Sequence, residues 1–346
     1  MKTEPILALT QGDPAGIGPE ILLTVAGEPE LWTAARPLLV AERAALLALR
    51  EVLPAAPWDR LAFLSPQDAG LSPETAGALP APPAIPVIDP VGRDRRVTPG
   101  QPGLDDAVGS LAALDLALEW VQQGRASALV TAPVNKALIA EHVRPDFRGH
   151  TEYLAERCGL EAYGRDFLMA FLSERLRVVL LSTHLPLRRA LDHIGPESIL
   201  EALRCLDRHA PRLAGRRPKI AVAGVNPHAG EGGLLGEEDE RDVRPAVLRA
   251  RAEGLDVHGP ESADSLFSRA AQGEFDWVLA LYHDQGLIAV KTAAFGEATN
   301  WTLGLPVLRT SVDHGTAYGI AGRGVADAGS MRSVIQTTVG LLASRA

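Results

Sequence analysis

Short apolar runs recur along this chain of 346 residues, and each of them ends in polar residues. Four of the runs lack the alternation of a half-exposed strand, which is typical of strands buried on both faces of a mostly parallel sheet. They cover residues 128–130, 178–181, 220–225 and 277–281. Segments with helical spacing lie between runs, at 104–123, 196–210 and 240–253. Because strand and helix alternate, the sequence predicts an α/β fold.

The first twenty residues predict a strand, a glycine-rich loop and a helix in succession. Residues 5–10 are the strand, residues 11–18 are the loop, and Pro19 suits the first turn of a helix. Gly124 is placed to end the helix over 104–123. Residues 66–103 are rich in proline and glycine, and they predict a long surface excursion or a short hairpin.

Composition narrows the class of protein. The chain has 34 Lys and Arg against 43 Asp and Glu, a net charge of −9, which argues against a general nucleic-acid surface. It is 46% hydrophobic and 22% charged, as globular proteins are. Two cysteines exclude a disulfide framework, and no segment looks like a secretory signal or a membrane span. We therefore expect one large or two ordinary domains in the cytoplasm, with neither nucleic acid nor membrane as a partner.

Three histidines follow predicted buried strands at corresponding positions. They are His184, His228 and His283. Ligands bind outside the carboxyl ends of strands in open α/β sheets, and three converging imidazoles would bind a divalent metal such as zinc. Asp264 and Asp284 could orient an imidazole or add a ligand. The alternative is that each histidine is a loop residue with a backbone partner.

Several other polar residues suit an anion. His150 and Thr151 precede the helical-looking segment 153–157, where a helix N-terminus could hold a phosphate, although Thr151 could instead be an ordinary N-cap. Lys291, Asn300 and Arg309 interrupt apolar or glycine-rich sequence near the C-terminus. Arg309 follows the apolar run 305–308, and a basic residue at a strand end suits a carboxylate or phosphate. Solvated surface charges are the alternative for all three.

The first glycine-rich loop does not match a common nucleotide motif. Gly12, Gly16 and Gly18 read G-x-x-x-G-x-G, whereas the dinucleotide fingerprint is G-x-G-x-x-G. The chain also lacks a Walker A loop. An ordinary Rossmann cofactor site is therefore not supported.

Seven motifs together resemble the 4-hydroxythreonine-4-phosphate dehydrogenase family. They span most of the chain, and they are specific in combination. The motifs are TQGDPAGIGPE at 10–20, TAPVNK at 131–136, GHTE at 149–152, THLPL at 183–187, NPHAGEG at 226–232, YHDQGL at 282–287 and RTSVDHGTA at 309–317.

The resemblance implies an NAD(P)-dependent oxidation in pyridoxal 5′-phosphate biosynthesis. The C3 hydroxyl of 4-phosphooxy-L-threonine would be oxidised, and loss of CO₂ would leave 3-amino-2-oxopropyl phosphate. A divalent metal (Zn, Mg or Co) is implied at the positions that match three histidines, and substrate contacts and the general base are implied elsewhere. The metal positions are His184, His228 and His283; the substrate positions are His150, Thr151, Lys291, Asn300 and Arg309; the candidate bases are Lys136, Asp284 and Lys291.

The implied fold is that of the isocitrate and isopropylmalate dehydrogenases, with two α/β/α lobes and a central cleft. The first lobe, on the cofactor side, would be 1–135 plus 300–346, and the second, on the metal and dimer side, 136–299. Their cofactor loop resembles residues 314–322, which places the dinucleotide at His314, Gly315, Thr316 and Gly322. A homodimer with the active site at its interface is also implied.

One position departs from the biosynthetic pattern. Asn135 stands where many such members have histidine, and related dehydrogenases of phosphorylated four-carbon sugar acids often have asparagine. A 4-phosphoerythronate or 4-phosphothreonate dehydrogenase is therefore one alternative. A non-catalytic metabolite-binding protein and a phosphate acyltransferase on a related scaffold are others, but neither needs the three histidines together with Lys291.

Overall fold

The computed structural model describes residues 4–65, 79–211, 216–294 and 296–345. The chain divides into two compact units: unit 1 contains Met1–Leu154 and Pro306–Ala343, and unit 2 contains Ala155–Leu305 and Ser344–Ala346. The lobes expected from the sequence differ at both crossings, since 136–154 fall in unit 1 and 300–305 in unit 2. The assignment of one lobe to the cofactor and the other to the metal and dimer stays a prediction.

Unit 1 is built on six parallel strands. They are β1 (Ile6–Thr10), β2 (Arg36–Val40), β3 (Leu61–Leu64), β4 (Ile85–Ile88), β5 (Ala128–Thr131) and β12 (Arg309–Ser311), in the spatial order β3-β4-β2-β1-β5-β12. The register pairs Thr10 with Val40, and it pairs Thr131 with both Thr10 and Ser311. Since these strands finish in one row, the polar segments that follow them share one edge of the sheet.

The helices of unit 1 confirm two predictions. They are α1 (Gly18–Ala26), α2 (Arg43–Leu47), α3 (Leu104–Gln122), α4 (Lys136–His142), α5 (His150–Arg157) and α11 (Gly329–Arg345), with a 3-10 turn at Pro29–Trp32. Pro19 lies in the first turn of α1, as expected. Gly124 follows α3 with a φ of 71°, a left-handed conformation that glycine adopts without strain.

The stretch 66–103 is not simply an excursion or a hairpin. Residues 66–78 lie outside the described residues. Strand β4 falls within the remainder and pairs in parallel with both β2 and β3, so the prediction was wrong for these four residues. The signal was missed because β4 contains Pro86, and proline inside a short apolar run argues against a strand.

Unit 2 holds the other six strands. They are β6 (Leu168–Leu172), β7 (Arg177–Leu180), β8 (Ile220–Ala223), β9 (Val257–Glu261), β10 (Trp277–Ala280) and β11 (Thr299–Leu303), in the order β11-β6-β7-β10-β8-β9. Strand β6 is antiparallel to both of its neighbours, and the other pairs are parallel. The helices are α6 (Leu187–His193), α7 (Pro196–His209), α8 (Arg244–Ala252), α9 (Ala263–Ala271) and α10 (His283–Ala293), with a 3-10 segment at Pro227–Gly233 and a π turn at Asp239–Val243.

The four apolar runs are all strands of these sheets, namely β5, β7, β8 and β10. Every residue in them is buried except Arg177, which begins β7. Burial of each large aliphatic side chain contributes about 1.5–3 kcal/mol, so these strands form the centre of each unit's core. The α/β fold class is confirmed. None of the helices in the described ranges is long and apolar enough to span a bilayer.

Candidate functional site

The topology of unit 2 brings three histidine-bearing segments to one edge. Strand β10 lies between β7 and β8 and is parallel to both. Leu180 pairs with Ala280, so β7 and β10 end level with each other. His184 follows β7, His283 follows β10 and His228 follows β8, which places all three at the carboxyl edge that the sequence indicated.

A neighbouring carboxylate holds the ring of His283. This histidine begins α10, and its Nδ1 lies 2.7 Å from a carboxylate oxygen of Asp284. With Nδ1 engaged, Nε2 is the nitrogen left to bind a ligand. The ring of His184 lies nearby, with 5.6 Å between the two ring centroids. Both rings line a cavity of about 350 Å³.

Two side chains that the sequence did not single out tie these strand ends together. Gln285 accepts a hydrogen bond from the Leu281 amide (2.8 Å) and donates one to the Gly224 carbonyl (2.7 Å), which links the ends of β10 and β8. The Ser182 hydroxyl donates to the Leu281 carbonyl at 3.0 Å and links β7 to β10. The spacing between the three ends is therefore held by side chains as well as by the sheet.

His228 lies on a turn of left-handed backbone. Residues 228–232 all have positive φ, at 53°, 51°, 76°, 45° and 68°. Three of them, His228, Ala229 and Glu231, are not glycine, and each costs about 1–2 kcal/mol in this conformation. Strain of this kind persists only where surrounding contacts impose it, and it is concentrated at functional sites.

Asp239 anchors the segment that leads into this turn, and it was missed from the sequence because it lies 11 residues beyond His228. Its carboxylate has no exposed surface. It accepts hydrogen bonds from the backbone amides of Val225 (2.7 Å) and Asn226 (2.9 Å), and from the Asn226 side chain (3.1 Å). Gly236 is required beside it, since a Cβ there would lie 2.6 Å from Asn226 Nδ2.

The Asp239→Asn variant is expected to loosen this turn. The side-chain amide keeps only one of the two acceptor oxygens, so its NH₂ group would face one or two of the three N–H donors, which costs about 1–3 kcal/mol of stability. A metal ligand that loses such a supporting contact typically loses about 10–100-fold in affinity. Zinc titration of the folded variant measures the second effect. Asp242→Asn is the matched control, because Asp242 lies on the same π turn and pairs with Arg241. Equal zinc affinity in both variants would contradict the assignment.

The ligand set predicted from the sequence stays a prediction. Within the described ranges no group of three or more His, Cys, Asp or Glu side chains is close enough to hold an ion. His228 instead lies by Asp264, with 4.0 Å between Nδ1 and Oδ2. A hydrogen bond from Ser262 lowers the pKa of Asp264, so this carboxylate remains charged. The imidazoles fit a divalent ion chemically. Two of them, His228 and His283, have a carboxylate near one ring nitrogen, which leaves the other nitrogen for the ion.

A second cluster lies in unit 1 around Arg309. This side chain opens β12 instead of ending a strand, so the predicted position was wrong; the apolar run 305–308 precedes the strand. Nor is it a surface charge, since only 1% of it is exposed. Its guanidinium donates to the hydroxyls of Thr131 (2.7 Å) and Thr151 (3.5 Å). Burial lowers the pKa of Arg309 to about 9, an effect that Glu152 partly opposes.

His150 and Lys136 surround the same point. Helix α5 begins at His150, so Thr151 lies inside the helix and is not its N-cap. Burial, together with the nearby charges of Arg309 and Lys136, lowers the pKa of His150 well below its usual value. The His150 Nε2 atom is shielded from solvent and has no hydrogen-bond partner in the described chain. A Cβ on Gly149 would lie 3.2 Å from Lys136 Cε, which shows how closely the lysine approaches.

The other predicted substrate and base residues lie in unit 2. Asp284 and Lys291 are seven positions apart on α10, so they share a face about 10.5 Å apart along its axis. Lys291 is exposed. Asn300 lies on β11, and its Oδ1 is buried with no hydrogen-bond partner among the described residues. A buried acceptor of this kind is costly unless a ligand or water satisfies it.

The predicted cofactor loop, 314–322, is held by the first glycine-rich loop of the same unit. The Ile17 amide donates to the Thr316 carbonyl (3.0 Å), and the Tyr318 hydroxyl donates to Asp13 (2.6 Å). The buried carboxylate of Glu20 accepts the amides of Gly322 (3.1 Å) and of residue 326 (2.9 Å). The G-x-x-x-G-x-G loop, which matched no nucleotide motif, thus supports a second loop at the sheet edge.

Close packing explains the glycines of that first loop. A Cβ on Gly12 would lie 2.2 Å from the Pro133 carbonyl oxygen, and one on Gly18 would lie 1.8 Å from the Gln11 carbonyl oxygen. Burial raises the pKa of the Asp13 carboxyl, and the bond from Tyr318 opposes this shift. Asn135 serves as the N-cap of α4, where its side chain accepts from the Leu138 amide at 3.1 Å.

The family model that matches this chain is described as "Pyridoxal phosphate biosynthetic protein PdxA", and it matches residues 33–338. The chain belongs to this family. A 4-hydroxythreonine-4-phosphate dehydrogenase of Thioalkalivibrio sulfidiphilus is 43% identical over 334 residues, which is 95% of each chain. A Symbiobacterium thermophilum protein, a D-threonate 4-phosphate dehydrogenase by provisional assignment, is 38% identical over 336 residues, 97% of this chain and 96% of its own.

Solved structures of PdxA relatives have the same fold. The crystal structure of 4-hydroxythreonine-4-phosphate dehydrogenase from Klebsiella pneumoniae superposes with a TM-score of 0.81 at 35% identity, and it covers 98% of this chain and 99% of its own. The family resemblance inferred from the seven motifs is thereby confirmed. In this PdxA chain the Arg309 cluster lies in unit 1 and the strand-end histidines lie in unit 2.

Proposed function

We propose that this protein catalyses the NAD(P)-dependent oxidation of 4-phosphooxy-L-threonine at its C3 hydroxyl, with decarboxylation to 3-amino-2-oxopropyl phosphate, in pyridoxal 5′-phosphate biosynthesis. The observation that carries the proposal is the buried Arg309 cluster, because a buried guanidinium beside two hydroxyls is suited to charge-assisted hydrogen bonds with an anionic group such as a phosphate. The names of its PdxA relatives are consistent with such a substrate.

The phosphate of the substrate would be bound by the Arg309 cluster. The guanidinium offers charge-assisted hydrogen bonds to phosphate oxygens, and the Thr151 hydroxyl lies beside it at 3.5 Å. His150 is neutral because its pKa is lowered, so its buried ring adds a hydrogen-bonding nitrogen without further charge. These residues bind and orient the substrate, and orientation reduces the entropic part of the barrier.

The strand-end histidines of unit 2 would hold a divalent cation. Imidazole nitrogens suit Zn²⁺ or Co²⁺ better than Mg²⁺, which prefers oxygen ligands. The cation supplies Lewis acidity, which lowers the pKa of a hydroxyl and stabilises the negative charge that decarboxylation leaves. His283 contributes Nε2, since Asp284 engages Nδ1, and the Asp239-anchored turn presents His228.

The chain offers three candidate bases for the C3 hydroxyl proton. Asp284 is partly committed to His283, whereas Lys291 lies two turns further along the same face of α10. Lys136 lies against Gly149 beside the phosphate cluster. Oxidation at C3 would transfer this proton to the base and a hydride to a bound NAD(P), and the β-keto acid that is formed would then lose CO₂. Loop 314–322 would hold the dinucleotide, and Asn300 would use its buried Oδ1 to accept from the substrate.

Assembly as a homodimer belongs to the same proposal. The family resemblance implies that the active site lies at a subunit interface. Sedimentation equilibrium of the purified protein measures the mass directly, and a concentration-independent mass near 36.7 kDa, that of one chain, would exclude the dimer.

A second candidate substrate is favoured by Asn135 and by one relative. The Symbiobacterium thermophilum relative, which is provisionally named a D-threonate 4-phosphate dehydrogenase, is 38% identical to this chain. A phosphorylated four-carbon sugar acid carries the same phosphate and carboxylate ends, so it fits the same cationic cluster. The two substrates differ in the amino group, which would be recognised near the reacting carbon.

A substrate panel tests the proposal. Formation of NADH or NADPH is followed at 340 nm with 4-phosphooxy-L-threonine, 4-phosphoerythronate and 4-phospho-D-threonate, each with and without a chelator. We expect the highest kcat/KM with 4-phosphooxy-L-threonine and loss of turnover when the chelator is present. A higher kcat/KM with a sugar acid would select the second candidate. If none of the three substrates is turned over under conditions where zinc binds, both candidates are excluded.

A further inference from the structure

A large cavity in unit 1 is lined by none of the site residues considered so far. Its volume is about 900 Å³, at the upper end of the range for small-molecule sites. It opens after β2, β3 and β4, the strands that carry Arg43, Ser65 and Asp89 just past their ends. This is the carboxyl edge of three parallel strands, where open α/β sheets bind ligands.

Four arginines line this cavity in a chain of net charge −9. Arg95 is committed to a buried network, with bonds of 2.9 Å to both Glu42 and Asp106. Arg93 pairs with Asp105 at the surface. Arg43 and Arg96 have no carboxylate within 4.0 Å in the described ranges. We call the cavity the arginine pocket.

Neither Asp89 nor Asp94 forms an ion pair with these two cations. One carboxylate oxygen of Asp89 accepts a hydrogen bond from the backbone amide of Arg43 at 3.0 Å. The other oxygen accepts from the amides of Val91 and Gly92, both at 2.9 Å. Asp94 is the other acidic residue on the wall, and it is exposed. Glu42, at the end of β2, faces Gln11 and Arg95 instead. In the dinucleotide sites of Rossmann folds, a carboxylate binds the free hydroxyls of the NAD ribose, whereas a nearby arginine accommodates the 2′-phosphate of NADP; the same charge argument applies to the arginine pocket.

The wall also offers a flat surface to a purine. The guanidinium of Arg43 lies 5.2 Å from the centroid of the Phe63 ring. Planar guanidinium and aromatic groups both stack on ring systems, and guanidinium also binds phosphate. The arginine pocket thus presents a stacked guanidinium–aromatic pair, Arg43 on Phe63, together with a second cation, Arg96.

The arginine pocket adjoins the predicted cofactor loop through residues 97–100. Val97 and Pro99 line the pocket. A Cβ on Gly322 would lie 2.5 Å from Pro99, and one on Gly100 would lie 3.0 Å from the Tyr318 carbonyl oxygen. Strands β12 and β2 are three positions apart in the sheet, about 14 Å at ordinary strand spacing. One ligand with two linked nucleosides can cover that distance.

We propose that the arginine pocket binds the adenosine half of the dinucleotide, and that Arg43 and Arg96 hold a phosphate on its ribose, which makes NADP the preferred oxidant. The proposal rests on the proposed dehydrogenase function for the identity of the dinucleotide. The nicotinamide half would lie along loop 314–322 in the same unit.

Calorimetry with a nucleotide fragment tests the pocket without turnover. Adenosine 2′,5′-bisphosphate is expected to bind the full-length protein at least 10-fold more tightly than 5′-AMP, and Arg43→Ala and Arg96→Ala should each remove most of this difference. Arg50→Ala is the matched control, because Arg50 also lies over an aromatic ring, that of Trp58 at 5.9 Å, outside the pocket. Equal affinity for the two fragments, or equal losses in all three variants, would overturn the proposal.

Kinetics separate this inference from the function on which it rests. With the preferred phosphorylated substrate, kcat/KM for NADP should exceed that for NAD, and Arg43→Ala should lower the ratio at least 10-fold. Turnover that favours NAD in the wild type would overturn the inference and leave the dehydrogenase function intact. Fragment binding without turnover with either dinucleotide would overturn the function and leave the pocket intact.

Discussion

Replacement of His228 by alanine is expected to remove both the bound metal and turnover. The turn that carries His228 is strained at three non-glycine residues and is anchored by a carboxylate with no exposed surface. Loss of one imidazole from a small ligand set removes several kcal/mol of charge stabilisation, so kcat should fall by about 10³-fold, which corresponds to about 4 kcal/mol. Metal analysis of the purified variant and steady-state kinetics measure the two effects.

The variant should fold, because the His228 side chain is 62% exposed. His228→Asn is a second variant that keeps the turn, since asparagine tolerates left-handed backbone. His258→Ala is the matched control: His258 also lies beside a carboxylate, 3.0 Å from Asp256. Full metal occupancy and normal kcat in His228→Ala would remove this residue from the ligand set, whatever the unfolding temperature.

Replacement of Arg309 by methionine is expected to raise KM for the phosphorylated substrate and to leave the fold intact. Two hydrogen bonds from a guanidinium to a charged group are worth about 3–6 kcal/mol together, so kcat/KM should fall by about 10²–10⁴-fold. A buried charge replaced by an apolar side chain of similar size often leaves stability unchanged or raises it. Thermal unfolding without substrate should therefore show no loss.

The pH dependence gives a second measure of Arg309. Phosphate binding requires the charged guanidinium, whose pKa burial lowers to about 9. Affinity for a phosphorylated ligand should therefore be nearly constant between about pH 7, where a phosphate monoester with its second pKa near 6 is largely dianionic, and pH 9, and it should fall as the pH rises above 9. The methionine variant should lack this decline. Arg332→Met is the matched control, because Arg332 pairs with Glu28 at 2.7 Å in the same unit. An unchanged KM in Arg309→Met would place the phosphate elsewhere.

Much of the fold was predictable because its signals are local. The four apolar runs became β5, β7, β8 and β10, since a strand buried on both faces needs a continuous apolar stretch. Helix α3 followed from its apolar spacing and from Gly124 just beyond its end, and α7 corresponds to the helical segment expected at 196–210. Strand β4 was missed because Pro86 gives a turn signal locally, and only pairing with β2 and β3 makes it a strand.

The candidate site, like the fold, was predictable only where its signals are local. The sequence by itself determined which chemistry is available at the strand ends, namely His184, His228 and His283, because a residue's position after a strand is written in the local pattern. The seven motifs likewise identified the family. What the pattern could not contain is which distant residue supports each of these groups.

Only the tertiary structure decided those contacts. It placed Asp239 under the turn of His228, buried Arg309 between Thr131 and Thr151, and assembled the arginine pocket from the ends of three strands. Thr131 and Arg309 are 178 positions apart in sequence, and they meet only because β5 and β12 are neighbours in the sheet. Burial and charge environment arise from such non-local neighbours, so the pKa of Arg309 and the strain at His228 exist only in the folded chain.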